Sequence, residues 1–124
     1  MPEEPGRLRL PQTRRIKQAR DFARARAQGQ RVVVGCLIAN WVPLPSGSLS
    51  RVGLITSRKI GGAVDRARAR RLMRETFRLH QHEFERPVDL VLIARNSIVG
   101  KKLPTVEKDF LEALRRARLL KKPV

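Results

Sequence analysis

Apolar and polar residues recur along the chain with two different periods, and the changes of period divide it into segments. Three segments repeat apolar residues every three to four positions, as amphipathic helices do, and runs rich in Val, Leu and Ile between them are typical of strands. The predicted helices cover 13–28, 63–82 and 105–119, and the predicted strands cover 31–42, 51–57 and 88–94. Gly35 splits the first strand or marks a bulge in it.

This order of elements predicts the fold class. Helix, two or three strands, helix, strand and helix indicate an α+β two-layer sandwich, with one small, mostly antiparallel sheet of three or four strands and three helices. We expect strand 51–57 to form a hairpin with strand 31–42, across the turn-rich residues 43–48. The nearly continuous apolar run 88–94 suits a strand that is buried on both faces, often beside a parallel neighbour.

The domain organisation follows from the ends of this pattern. Residues 1–12 contain three prolines, a glycine and little periodicity, so we expect a flexible leader there. Residues 13–120 form a single domain in this interpretation, and residues 121–124 form a frayed tail.

The charge of the chain indicates its partner. The 124 residues include 28 Lys and Arg against 11 Asp and Glu, which gives a formal net charge of +17. Such a field favours a polyanion, most simply a nucleic acid, with an anionic membrane surface as the lesser alternative. No apolar run approaches the roughly 20 residues that cross a bilayer, and Glu3 and Glu4 stand where a signal peptide carries positive charge. We therefore expect a cytoplasmic protein, with the single Cys36 as a small buried hydrophobe.

The stretch from Arg58 to Arg78 concentrates positive charge on one helix. At 100° per residue, the predicted helix has an apolar arc formed by Ala69, Leu72, Met73, Thr76, Leu79 and His80. The opposite arc is cationic and holds Arg66, Arg70, Arg71, Arg74 and Arg78, whereas Arg68 lies on the other flank. Like charges four residues apart destabilise a helix, and guanidinium groups grip phosphate oxygens with a planar fork of donors. The pattern therefore indicates a phosphate-rich partner rather than a merely solvated face.

Catalytic constellations are missing from the sequence. His80 and His82 are two residues apart near a helix end and point in different directions. The acids are scattered, and no Walker-type phosphate loop is present. We therefore expect no catalytic residue and no metal ligand on this chain. Phe22 and Trp41 are the candidates for stacking on bases, although core packing suits each of them equally well.

The arginine-rich stretch and its flanks resemble the protein subunit of bacterial ribonuclease P. The family motif stands here as Ser57-Arg58-Lys59, Gly61, Ala63-Val64 and Arg66-Ala67-Arg68-Ala69-Arg70-Arg71-Leu72-Met73-Arg74-Glu75. Asp21-Phe22 followed by Gly29, Arg51-Val52-Gly53, and Asp89 to Arg95 resemble its flanks. Three positions depart from the family pattern: Ala67 replaces an Asn, Arg70 a Lys, and Arg26 an aromatic residue.

The resemblance implies a fold similar to the second domain of a ribosomal small-subunit protein, with a left-handed crossover against the usual rule. It also implies a cytoplasmic endonuclease that removes the 5′ leader of precursor tRNA. In that family the catalyst is a large RNA, ribonuclease P RNA, which holds Mg²⁺. The partners implied are therefore this RNA and precursor tRNA, and no Mg²⁺ is expected on the protein alone. The residues expected at the catalytic RNA are Arg58, Lys59, Arg66, Arg68, Arg70, Arg71 and Arg74, and those expected in a leader-binding cleft are Arg15, Lys17, Phe22 and Trp41.

Three other functions stay open at the level of sequence. A structural RNA-binding protein, such as a ribosomal protein or RNA chaperone, suits the charge and size equally well. A stand-alone nuclease would need carboxylates or a histidine pair for metal binding. A DNA-binding module is disfavoured because no helix-turn-helix spacing or zinc motif is present.

Overall fold

The computed structural model describes residues 12–121. The predicted leader and tail therefore lie outside the described residues, except for Gln12 and Lys121. The described helices are α1 (Ala19–Gln28), α2 (Ala63–His80) and α3 (Leu103–Arg116), and the strands are β1 (Gln30–Val34), β2 (Leu37–Pro43), β3 (Arg51–Ile55) and β4 (Val88–Ala94). Short 3-10 helices cover Gln12–Arg14, Arg58–Ile60 and Asn96–Ile98.

The four strands form one mixed sheet in the order β1-β2-β4-β3. β1 with β2 and β2 with β4 pair antiparallel, and β3 runs parallel to β4. The predicted hairpin between β2 and β3 is therefore wrong, because β4 lies between them. β4 is the most apolar strand and gains most from a central position, where Leu90 and Val91 on its two faces are both fully buried. The predicted parallel neighbour of this strand is confirmed.

The two faces of the sheet are covered unequally. α2 and α3 pack on one face and enclose the main core, where the largest fully buried side chains are Phe77 and Phe110. α1 crosses the other face and encloses a smaller core of four buried residues, which are Ile16, Ala25, Val42 and Val91. Because one ten-residue helix cannot cover a four-stranded sheet, part of this second face stays open.

The chain before α1 protects an edge of the sheet. The predicted helix from residue 13 is too long: α1 begins at Ala19, and Arg15 and Ile16 run parallel to β3 instead. The backbone N–H of Ile16 donates to the carbonyl oxygen of Val52 at 2.8 Å. This contact satisfies a backbone acceptor on the free edge of β3, which water would otherwise have to satisfy.

A turn at Gly35 divides the first predicted strand, 31–42, into β1 and β2. Gly35 has a φ of 54°, a conformation that side chains disfavour. A Cβ atom at Gly35 would also lie 2.2 Å from Oδ2 of Asp109, which accepts the backbone N–H of Cys36 at 3.0 Å. Burial, with the neighbouring Asp109 carboxylate, raises the pKa of the Cys36 thiol to about 12.

The two helices of the main core are joined at the end of α2. Nε2 of His80 lies 2.8 Å from a carboxylate oxygen of Glu107 on α3, and Nδ1 faces the carboxylate of Glu83. Burial alone would lower the pKa of His80, but the hydrogen bonds to the two carboxylates outweigh it and raise that pKa. Both ring nitrogens of His80 face carboxylates, an arrangement that favours the protonated imidazole, which can donate from both.

The start of α3 differs from its prediction. The helix begins at Leu103 with Pro104 in its first turn, a position where a missing N–H costs nothing. Lys102 occupies the N-cap, so the predicted start at residue 105 is two residues too late.

Candidate nucleic-acid interface

A pocket at the free edge of β3 brings together residues from both predicted sites. It opens between α1 and α2, and its volume is about 470 Å³ with the solvent space at its mouth included. Its lining comprises Arg15, Ile16, Phe22, Val52, Gly53, Leu54, Arg70 and Arg74. Arg15 and Phe22 were expected to bind a leader, whereas Arg70 and Arg74 were expected to bind the catalytic RNA. The structure places all four around one cavity.

The aromatic wall of this pocket depends on a glycine. A Cβ atom at Gly53 would lie 2.4 Å from Cε1 and 2.6 Å from Cζ of Phe22, both far inside van der Waals contact. The ring of Phe22 therefore rests directly on the backbone of β3. Phe22 is half-buried, packing against the smaller core with part of its surface exposed.

Two arginines of α2 are held in place by hydrogen bonds within the protein. Nη1 of Arg66 donates to the carbonyl oxygen of Gly61 at 3.1 Å, and Nη1 of Arg70 donates to Oγ1 of Thr56 at 2.8 Å. Each of these bonds uses one of the five N–H donors of a guanidinium group. The other donors of each side chain stay available for phosphate oxygens, in a position that the protein has already fixed.

The other basic residues of α2 differ from these two in their surroundings. Arg68 lies on the opposite flank, as predicted, where Nη2 donates to the carbonyl oxygen of Lys101 at 2.6 Å. Arg78 forms an ion pair with Glu75, which raises the pKa of Arg78 and lowers that of Glu75. Arg71 points into solvent, as do Arg58 and Lys59 in the 3-10 helix before α2. Arg71, Arg58 and Lys59 are therefore more exposed to a partner than Arg68 and Arg78, which are bonded within the protein.

Trp41 does not share a surface with Phe22, which corrects the prediction that both line one cleft. Trp41 is 5% exposed and belongs to the main core under α2 and α3. Phe22 packs on the other face of the sheet. Trp41 lies on a strand and Phe22 on a helix, so the sequence could not decide whether both meet the same face of the sheet. Lys17 is exposed on the segment that leads from Arg15 into α1.

The uncovered part of the second sheet face forms a groove beside α1. Ile38, Ile93 and Ile55 lie opposite one another on β2, β4 and β3, and all three are half-buried. Beyond Ile38 the surface continues into a second cavity, lined also by Lys59 and Arg95. We call the surface from Phe22 across these isoleucines to Arg95 the open groove. Its floor is apolar and its far end is cationic, which suits bases and phosphates respectively.

Arg95 was missed as a site residue by reasoning from composition and periodicity. Its guanidinium donates to the carbonyl oxygen of Gly35 at 2.9 Å, which fixes it at the end of the open groove. The available signal was its position, because it is the first cation after the buried strand β4. A polar residue directly after a central strand lies in a loop at the end of the sheet, where binding residues are common.

An ionic cluster anchors α1 to the sheet on the side away from the open groove. The carboxylate of Asp89 is fully buried and accepts from Nε and Nη2 of Arg51, at 2.8 and 2.7 Å, and from Nη2 of Arg24 at 3.0 Å. Asp21 lies 3.5 Å from both guanidinium groups. Hydrogen bonding to Asp89 raises the pKa of Arg51. The sequence signal was an aspartate in an otherwise apolar strand, which requires a buried partner.

Two further properties of the described residues bear on the predicted functions. No helix in the range 12–121 is long and apolar enough to span a membrane. Within the same range, no group of three His, Cys, Asp or Glu side chains is arranged to hold a metal ion.

Known proteins are similar to this chain in sequence. A statistical model of the family described as Ribonuclease P matches residues 10–118. A ribonuclease P protein component from Pelotomaculum thermopropionicum is 35% identical over 104 residues, which cover 84% of this chain and 92% of the relative. One from Desulfatibacillum aliphaticivorans is 33% identical over 99 residues, covering 80% of this chain and 83% of the relative.

Solved structures agree with the sequence relatives. The RNase P protein of Staphylococcus aureus superposes with a TM-score of 0.78 at 25% identity, covering 87% of this chain and 98% of that protein. The protein from Thermotoga maritima gives a TM-score of 0.72 at 26% identity, covering 82% and 96%. The α+β fold matches these structures. The match of the family over most of the chain, together with this fold, shows that the chain belongs to the family of ribonuclease P protein components, which act in tRNA processing.

Proposed function

We propose that this chain assists a catalytic RNA in removing the 5′ leader of precursor tRNA, by binding that RNA through α2 and the leader through the open groove. The observation that carries the proposal is the pocket at the edge of β3. There Phe22, at one end of the open groove, and Arg70 and Arg74, from the arginine-rich helix, meet around one cavity. A leader strand in the groove would thus lie next to the surface that holds the catalytic RNA.

The cationic surface of α2 suits the backbone of a folded RNA. Arg71, Arg58 and Lys59 are exposed, and Arg66 and Arg70 are prepositioned by bonds to the protein. Cations that contact phosphates release condensed counterions, so affinity should fall steeply with salt. Offsetting phosphate charge also lowers the repulsion between the catalytic RNA and its RNA substrate.

The open groove suits a single strand of RNA. The ring of Phe22 and the row of isoleucines offer an apolar surface to bases, and stacking on an aromatic ring contributes about 1–3 kcal/mol per base. Arg15 at one end and Arg95 at the other are placed to bind phosphates. None of these groups distinguishes one base edge from another, so we expect tolerance of leader sequence.

The side chains of residues 12–121 form no site for the Mg²⁺ that such cleavage requires. Three acidic ligands do not come together anywhere among residues 12–121, and the buried carboxylate of Asp89 is already bonded to two guanidinium groups. We therefore assign Mg²⁺ and the catalytic groups to the RNA, and binding alone to the protein.

The test is cleavage of precursor tRNA at low Mg²⁺ by the protein alone, by a bacterial ribonuclease P RNA alone, and by both. A variant with Arg70→Ala and Arg74→Ala is compared with the wild type. The matched control is Arg115→Ala with Arg116→Ala, which also removes two positive charges, from residues that pair with Glu112 on α3. We expect cleavage at the 5′ mature end to need both components, and the pocket variant to lose about tenfold in activity, well beyond the control.

Two results would overturn the proposal. Cleavage by the protein alone would mean that catalytic residues lie on this chain. Binding to the RNA without any stimulation of cleavage would mean that the protein is a structural RNA-binding protein with no part in the reaction.

A further inference from the structure

α1 crosses the second sheet face with two different sides. On one side Phe22 leans on Gly53 and borders the open groove. On the other side Asp21 and Arg24 reach the ionic cluster with Arg51 and Asp89. Besides the packing of Ala25 in the smaller core, the helix is therefore held by one aromatic contact on one side and by a set of ion pairs on the other.

The ionic cluster joins three separate elements. Asp89 belongs to the central strand β4, Arg51 to the neighbouring strand β3, and Arg24 to α1. The bidentate bond between Arg51 and Asp89 links two strands that are already paired in register. α1 is attached to this pair by the bond from Arg24 to Asp89, at 3.0 Å, and by the weaker ion pair of Asp21 with Arg51, at 3.5 Å.

The composition of the cluster argues against a role in attracting RNA. It contains two acids and two bases, so its net charge is zero. In a chain with a formal net charge of +17, a function of attracting phosphates would be better served without Asp21 and Asp89. The buried carboxylate of Asp89 instead requires donors in fixed positions.

We infer that the cluster of Asp21, Arg24, Arg51 and Asp89 is a positioning device, which fixes the position of α1 on the sheet and so sets the width of the open groove beside that helix. The inference rests on the proposed function, since the groove is the one assigned to the leader. Arg24 is thus a positioning residue for the leader although it does not contact it. A groove of fixed width can select a single strand. A helix that was free to tilt would widen or narrow the space beside Phe22 and would lose this selection.

The test isolates the geometric role of Arg24 from its charge. The holoenzyme is assembled with wild type, Arg24→Gln, Arg24→Lys or Arg20→Gln. Arg20 lies one turn earlier on the exposed surface of α1, so Arg20→Gln removes the same charge without touching the cluster. For each protein, the dissociation constant is measured for precursor tRNA with a leader and for mature tRNA without one. The ratio of the two constants reports on the leader alone.

We expect Arg24→Gln to reduce the leader ratio about threefold or more, with the affinity for mature tRNA and the kcat at saturation unchanged. Arg20→Gln should change the ratio less than twofold, and Arg24→Lys should restore most of it, since an ammonium reaches the same carboxylate. The slope of log affinity against log salt should stay the same in Arg24→Gln, because this side chain contacts no phosphate.

Each other outcome has a distinct meaning. Equal losses in Arg24→Gln and Arg20→Gln, or a smaller salt slope in the former, would mean that Arg24 acts through its charge and would overturn the inference. An unchanged leader ratio in Arg24→Gln would overturn it as well. A wild type that binds precursor and mature tRNA equally would overturn the proposed function itself. Melting temperatures of all four proteins show whether each is folded, and Asp21→Asn gives an independent perturbation of the same cluster.

Discussion

Replacing Gly53 by alanine tests the contact on which the shape of the edge pocket depends. The added Cβ would lie 2.4 Å from Cε1 of Phe22, where two carbons ordinarily approach to about 3.5–4.0 Å. The ring must therefore retreat by about 1 Å or more, and it is held from behind by the smaller core. The backbone at Gly53 lies outside the positive-φ region, so alanine itself fits the strand.

The sign of the stability change decides whether this contact exists. Without a clash, alanine in a strand should stabilise the protein by about 0.5–1 kcal/mol, because it loses less backbone entropy than glycine on folding. With the clash, overpacking should destabilise it by about 1–3 kcal/mol. For a domain of this size, that loss lowers the melting temperature by about 4 °C per kcal/mol.

The test is a double-mutant cycle of Gly53→Ala with Phe22→Ala. For each variant, denaturant unfolding measures stability and a titration measures the binding of a leader-bearing precursor tRNA. In the Phe22→Ala background Gly53→Ala should become neutral or stabilising, apart from a small cost against Cβ of Ile16, which lies at 3.3 Å. The coupling energy should be about 1–3 kcal/mol. A Gly53→Ala protein that is more stable than wild type, with additive effects in the cycle, would refute the contact.

Four further predictions follow from other contacts. Since the pKa of His80 is raised in the folded protein, its protonated ring should stabilise the fold fully below about pH 6.5, and this contribution should be lost as the pH rises through the higher folded pKa. The difference in unfolding free energy between wild type and His80→Gln, measured in urea from pH 5.5 to 9, should therefore shrink as the pH rises, and a constant difference would contradict the raised pKa. Arg71→Ala should lower the slope of log RNA affinity against log salt by about one, whereas Arg78→Ala, which removes an ion-paired group, should lower it less. Equal slopes for the two variants in filter-binding titrations would mean that the exposed and the ion-paired arginine contribute equally. Trp41→Phe should leave leader affinity unchanged, because Trp41 lies in the main core, and should cost little stability, because the buried Nε1 has no hydrogen-bond partner. A loss of leader binding without a loss of stability would mean that Trp41 contacts the leader after all. Cys36 should resist alkylation by iodoacetamide in the native protein at pH 8 and should react on unfolding, because burial raises the pKa of its thiol to about 12. Mass spectrometry measures the labelling, and rapid labelling of the native protein would contradict the burial of Cys36.

Local features of the sequence were sufficient for much of this description. The period of apolar residues predicted α2 to within two residues, and the apolar run 88–94 predicted a strand that is buried on both faces, often beside a parallel neighbour. Both results depend on short-range physics, since helix period and burial on two faces leave their mark within a few residues. The motif around Arg66 to Glu75 was enough to suggest the family, which the comparisons then showed.

Long-range pairing is where reasoning from the sequence failed. The hairpin between β2 and β3 was a reasonable expectation for neighbouring strands, but β4 enters between them from almost 40 residues further along the chain. The connection of residues 44–50 is long enough to pass over one intervening strand, since extended chain spans up to about 3.3–3.6 Å per residue and strands are about 4.8 Å apart. Nothing in either strand alone reveals that a third one is more apolar and takes the centre.

The sequence by itself determined that the protein is strongly basic, that an arginine-rich helix carries much of that charge, and which segments are helices and strands. Only the tertiary structure decided that Phe22 and Trp41 lie on opposite faces of the sheet, that Arg70 and Arg74 meet Phe22 at the edge of β3, and that Asp89 anchors α1. The physical reason is that period and composition act within a few residues, whereas these contacts join positions that only the order of the strands and the crossing of α1 bring together.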